Sequence, residues 1–110
     1  MGVQAFTPMG NTVVFTASTT APTPVQAASF GPGANQYRII VPQGSNTVFL
    51  GFAVSSAGAT ANAVVVTSSS FTMPILPGTD EILTFLPNAY FTGITSSGST
   101  AVYITPGDGV

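Results

Sequence analysis

From Leu76 to Pro106 the chain alternates short runs of β-branched and aromatic residues with turn residues, and this alternation constrains the fold more than any other feature. Pro77-Gly78, Pro87-Asn88 and Ser96-Ser97-Gly98 punctuate three runs rich in Ile, Thr, Phe and Tyr. Such punctuation breaks helices and separates strands. In the last run Val102 and Ile104 fall on one face and Ala101, Tyr103 and Thr105 on the other, the period of a sheet with one buried side. Tyr90 to Thr95 and Thr100 to Thr105, joined by Ser96 to Ser99 with Gly98 available for a positive φ, are expected to pair as a hairpin.

The upstream residues continue the theme. Thr12 to Ala17 reads as a strand with Val13, Phe15 and Ala17 on one face, followed by the Ser/Thr/Pro connection Ser18 to Pro24. Val25 to Phe30 reads as a short edge strand ended by Gly31-Pro32-Gly33. Gln36 to Val41 sets Tyr37, Ile39 and Val41 against Arg38 and Ile40, and Pro42 to Ser45 turns the chain. Thr47 to Val54 is the most regular run, with Val48, Leu50, Phe52 and Val54 on one side and Phe49, Gly51 and Ala53 on the other. Two apolar faces mark a strand covered on both sides or one whose second face meets a partner. A loop of small residues beginning at Gly58 to Thr60 is expected next, then strands at Ala63 to Thr67 and Phe71 to Leu76. Reading Val48 to Val66 as a membrane span fails on Ser55, Ser56, Gly58, Thr60 and Asn62, which interrupt it.

About eight or nine short strands without an amphipathic helix predict an all-β fold, a two-sheet antiparallel sandwich of jelly-roll type with no substantial helix. An immunoglobulin-like sandwich is the second choice, its Trp and Cys markers being absent. A chain of 110 residues makes one domain, placed at 12 to 110. Residues 1 to 11, with Pro8, Gly10 and Asn11, are expected to form a flexible or partner-bound arm. The N-terminus has neither a basic region nor a long apolar stretch, so no signal peptide is expected.

Charge then narrows the function. Only 4% of residues are charged, against about 25% in ordinary domains. One Arg and no Lys supply no basic patch for a phosphate backbone, which argues against nucleic acid. The chain has no His and no Lys to activate its many hydroxyls, so it is not expected to be an enzyme. Asp80 and Glu81 are consecutive in a predicted strand and diverge to opposite faces; their expected role is a polar strand start, with one of them pairing Arg38. Asp108 sits in Pro-Gly-Asp-Gly, where a turn is expected. Three scattered carboxylates and no Cys make no metal site, and no cofactor is expected. A surface with so little charge suits a protein that stays docked, and Phe6, Phe49, Tyr90, Phe91 and Tyr103 are the candidate partner contacts. Tyr37, Tyr90 and Tyr103 would also suit a sugar-stacking platform, a carbohydrate-binding alternative weakened by the absence of Trp.

Pro77 to Thr95 (P-G-T-D-E-I-L-T-F-L-P-N-A-Y-F-T-G-I-T), Ala101 to Gly109 (A-V-Y-I-T-P-G-D-G), Gln36 to Val41 (Q-Y-R-I-I-V) and Thr47 to Ala53 (T-V-F-L-G-F-A) together resemble the small decoration, or cement, proteins of tailed bacteriophage capsids. The resemblance runs from about Thr23 to the C-terminus and leaves the first twenty residues unmatched. It implies a structural virion subunit of jelly-roll fold, often a homodimer, made in the host cytoplasm and bound to the outside of the major capsid protein shell, where it clamps neighbouring capsomers. A tail- or fibre-associated module is the remaining alternative, and neither reading calls for a membrane.

Overall fold

The computed structural model describes residues 6–29, 35–42, 46–65 and 72–108. In chain order the elements are β1 (Thr7–Pro8), β2 (Val13–Ala17), β3 (Val25–Gln26), β4 (Gln36–Ile40), β5 (Val48–Ala53), α1 (Ser56–Asn62), β6 (Met73–Ile75), β7 (Asp80–Thr84), β8 (Tyr90–Ile94) and β9 (Thr100–Asp108). They form two antiparallel sheets. Sheet A runs β1-β9-β4-β7, with β2 beside β9 on the same edge as β1, and sheet B runs β3-β8-β5-β6.

The pairings follow one rule. β5 pairs β6, β4 pairs β7, β3 pairs β8 and β2 pairs β9, so the chain is a single long antiparallel ribbon with β5 and β6 at its closed end. Rolling that ribbon up adds β4·β9 in sheet A and β5·β8 in sheet B. Eight strands so nested make a jelly roll, with β1 as an addition at one corner.

Alternation decides what lies between the sheets. Phe15, Ala17, Tyr37, Ile39, Val102 and Ile104 from sheet A meet Val48, Leu50, Phe52, Ile75 and Phe91 from sheet B, all buried. Each large side chain so enclosed contributes about 1.5–3 kcal/mol of transfer free energy. Aromatic rings tie the sheets together: Tyr37 meets Phe91 edge-on at 4.9 Å, and Phe52 meets Phe85 edge-on at 4.9 Å. The Tyr37 hydroxyl is satisfied by donating to the Leu86 carbonyl and accepting from the Ala89 N–H at 3.2 Å.

Several expectations are corrected. β8 and β9 do not form a hairpin, because they lie in different sheets. Residues 95–99 arch across the sandwich, held by the Thr95 N–H donating to the Ser18 carbonyl at 2.9 Å and the Thr95 hydroxyl to the Gly98 carbonyl at 2.8 Å. The arch lets Phe91 and Val102 face each other's sheet, and each strand gains a neighbour on both sides. The small-residue loop contains α1, capped by the Ser55 hydroxyl accepting from the Gly58 N–H at 3.1 Å. Residues 63–65 are not a strand, β3 is only Val25–Gln26, and β6 is only Met73–Ile75; Phe30 to Ala34, Gln43 to Ser45 and Val66 to Phe71 lie outside the described residues. Val54 follows the end of β5 and is exposed, not inward with Phe52.

The described part of the N-terminal arm is not free. Thr7 and Pro8 pair with Asp108 and Gly107, and the Met9 N–H donates to the Pro106 carbonyl at 2.9 Å. Pro-Gly-Asp at 106–108 is correspondingly strand, not turn. A Cβ at Gly107 would fall 2.5 Å from Cζ of Phe6, so the absent side chain is what lets that ring settle there.

Candidate docking face

The two outer faces of the sandwich differ. On sheet B, α1 lies across β5: a Cβ at Gly51 would come within 2.5 Å of both the Ala59 carbonyl oxygen and the Ala63 nitrogen. Ala59 and Ala63 are buried there, and beside Gly51 the outward Thr92 is buried with its hydroxyl donating to the Pro22 carbonyl at 2.8 Å. The second apolar face of β5 is therefore covered largely by the chain itself. Phe49 and Tyr90, both half-buried, flank this cover.

Sheet A has no such cover among the described residues. Its register puts Val14 opposite Tyr103, Tyr103 opposite Ile40, and Ile40 opposite Asp80, one row across four strands. The next row runs from Thr105 through Arg38 to Ile82, with the Thr12 and Thr105 hydroxyls 2.6 Å apart beside it. Val14, Tyr103, Ile40 and Ile82 are between 37% and 51% exposed, so four large apolar side chains form a band across this face. Thr16, Thr105, Gln36 and Thr84 border it. Inward-facing neighbours on the same strands fix the band in place, since turning it inward would expel Phe15, Ile39 and Val102.

One ion pair crosses the band. Arg38 reaches diagonally from β4 to β7, its Nε 3.0 Å from each carboxylate oxygen of Asp80 and its Nη2 also on Oδ2. The Asp80 hydrogen bonds raise the Arg38 pKa above its ordinary value, aided by the charge attraction. Both groups remain over two-fifths exposed, so the bridge neutralises the face more than it stabilises the fold. Glu81 is opposite Ile39 and does not join the pair.

The five candidate contacts thus part company. Tyr103 stands at the centre of the open band. Phe49 and Tyr90 lie on the covered sheet, and Phe6 is half-buried against Gly107 of its own chain. Phe91 is fully buried between Tyr37 and Phe52 and cannot touch a partner, because its position in β8 turns it inward. Val14, Ile40 and Ile82 were missed as a group. Each is one apolar residue on the polar side of its own strand, and only register brings them together.

Among the described residues no pocket opens, no group of three His, Cys, Asp or Glu side chains gathers, and no helix is long and apolar enough to cross a membrane. No family model, curated protein or solved structure matches the chain.

Proposed function

We propose that this protein is a structural subunit that decorates the exterior of a bacteriophage capsid, docking on the major capsid protein through the outer face of sheet A. The observation that carries the reading is the Val14, Tyr103, Ile40 and Ile82 band, open on a chain with one basic and three acidic residues. A face of this kind adheres by desolvation and shape, not by charge. The resemblance of four of its segments to capsid decoration proteins supports the choice of partner.

The size of the face suggests how it would hold. Four strands about 4.8 Å apart and five residues deep at about 3.3 Å each make a patch of roughly 19 by 17 Å. That is well under the area of about 800 Å² per partner typical of a stable pairwise complex. A single contact would be weak, and a shell offering many equivalent sites makes up for it by multivalency.

The test is binding of the purified protein to capsids that lack it. The variant carrying Ile40→Ser and Tyr103→Ser should keep its circular dichroism and lose most of its occupancy on the shell. Full occupancy by this variant would refute docking through the face, and absence of binding by the wild-type protein would refute the capsid reading. Exposed Tyr103 is the one feature that favours sugar stacking, and a glycan array with Tyr103→Ala as control decides that alternative.

A further inference from the structure

Among the described residues the outer edge of β7 has no strand beside it. Beyond the ends of the β4·β7 ladder, Phe85 N–H donates to the Asn35 carbonyl at 2.8 Å and Val41 N–H to the Thr79 carbonyl at 3.2 Å. Those two pairs belong to the same register as Tyr37↔Leu83 and Ile39↔Glu81. Antiparallel ladders alternate, so Thr79, Glu81, Leu83 and Phe85 turn their N–H and C=O groups toward β4. Asp80, Ile82 and Thr84 turn theirs away, to an edge that no described strand covers.

The other edges are poorer templates. β3 has two residues, β6 has three with Pro74 in the middle, and β1 contains Pro8. β2 is longer, but its end is tied across to sheet B by the Ser18↔Ile94 bridge and the Thr95 to Ser18 hydrogen bond.

We infer that two copies of this chain pair edge to edge through β7, antiparallel, with Ile82 on the two-fold axis. Sheet pairing keeps like faces together, which leaves three close registers, and chemistry separates them. Centring on Glu81 sets that carboxylate directly opposite its copy, which is unfavourable. Centring on Leu83 uses only the Ile82 and Thr84 groups, for four hydrogen bonds by ladder geometry. Centring on Ile82 uses Asp80, Ile82 and Thr84 in full, for about six hydrogen bonds. In that register Asp80 faces the second copy's Thr84, Glu81 faces Leu83, and Ile82 packs on Ile82. Each Asp80 remains held by its own Arg38, so no bare like-charge pair meets across the axis.

The pairing extends both sheets A into one of eight strand widths and joins the two apolar bands at Ile82. It stands without the capsid reading, since its partner is the chain itself. If that reading also holds, the dimer presents twice the docking face as one body.

The sequence has no cysteine, which makes the register directly testable in the full-length protein. Residues opposite each other in a hydrogen-bonded antiparallel pair have Cα atoms about 5.5 Å apart, within disulfide reach. Ile82→Cys should therefore cross-link to a covalent dimer under mild oxidation, while Thr84→Cys, facing position 80, should not. Ile82→Pro removes an outward N–H and leaves the β4 ladder intact; it should convert the dimer to monomer in sedimentation equilibrium with unchanged circular dichroism. A wild-type protein that sediments as a monomer across its soluble range overturns the inference. So does equal cross-linking at positions 82 and 84, or a dimer that survives Ile82→Pro.

Discussion

Tyr37 combines two roles in one side chain: it fills the core against Phe91, and its hydroxyl closes the chain segment between β7 and β8 by bonding Leu86 and Ala89. Tyr37→Phe keeps the ring and leaves the buried Ala89 N–H without its acceptor. The expected loss is about 1–3 kcal/mol, read from chemical denaturation. Burial also raises the Tyr37 pKa above its ordinary 10.0, an effect partly reversed by the Ala89 N–H. The folded state then holds the phenolic proton more tightly than the unfolded state. This contribution is intact below pH 10.0 and disappears as pH climbs through the raised folded value, so the gap between wild type and Tyr37→Phe should narrow in strongly alkaline solution. A gap constant with pH would refute the assignment. At this scale the sequence was informative: Tyr37, Ile39, Val102 and Ile104 are inward as their alternation requires, and Arg38 meets one of the two adjacent acids. Which acid it meets depends on strand register, which puts Asp80 on the Arg38 face and Glu81 on the other.

Among elements, the contact of α1 with β5 is the one most sensitive to a single atom. Gly51→Ala drives a methyl group into the backbone of Ala59 and Ala63, and backbone cannot rotate away. The variant should lose about 1–3 kcal/mol and loosen α1 from sheet B, seen as faster amide exchange at Ala59 and Ala63. Wild-type stability and exchange would show that the helix is not seated as described. The helix itself was hard to read because its residues are small and carry no apolar stripe. The available signal was the Ser55 cap ahead of Ala57, Ala59 and Ala61, all good helix formers. The arch between β8 and β9 was hidden for a different reason. Ser-Ser-Gly turn chemistry serves a hairpin and an arch equally, and what separates them is the partner each strand finds far away in sequence, β5 for one and β4 for the other.

For the whole molecule, the scarcity of charge governs behaviour. The single described salt bridge is exposed, so thermal stability should change little between low and moderate salt. Under the docking proposal, attachment to a shell should be similarly indifferent, since few ion pairs are available to screen. Release of the protein from particles by moderate salt alone would contradict docking through the sheet A band. The sandwich was legible because strand alternation is a local property of the chain. The exposed apolar band was not, because it is assembled from β2, β9, β4 and β7, which meet only once the ribbon has rolled up.

The pairing of Thr7 with Asp108 places the first and last described strands side by side at one corner of sheet A. Along β9 that corner is five residues from Tyr103, or about 17 Å. A reporter grafted beside Thr7 or beside Asp108 would therefore issue from the same corner, at a distance from Tyr103, giving those two positions equal standing as points for display.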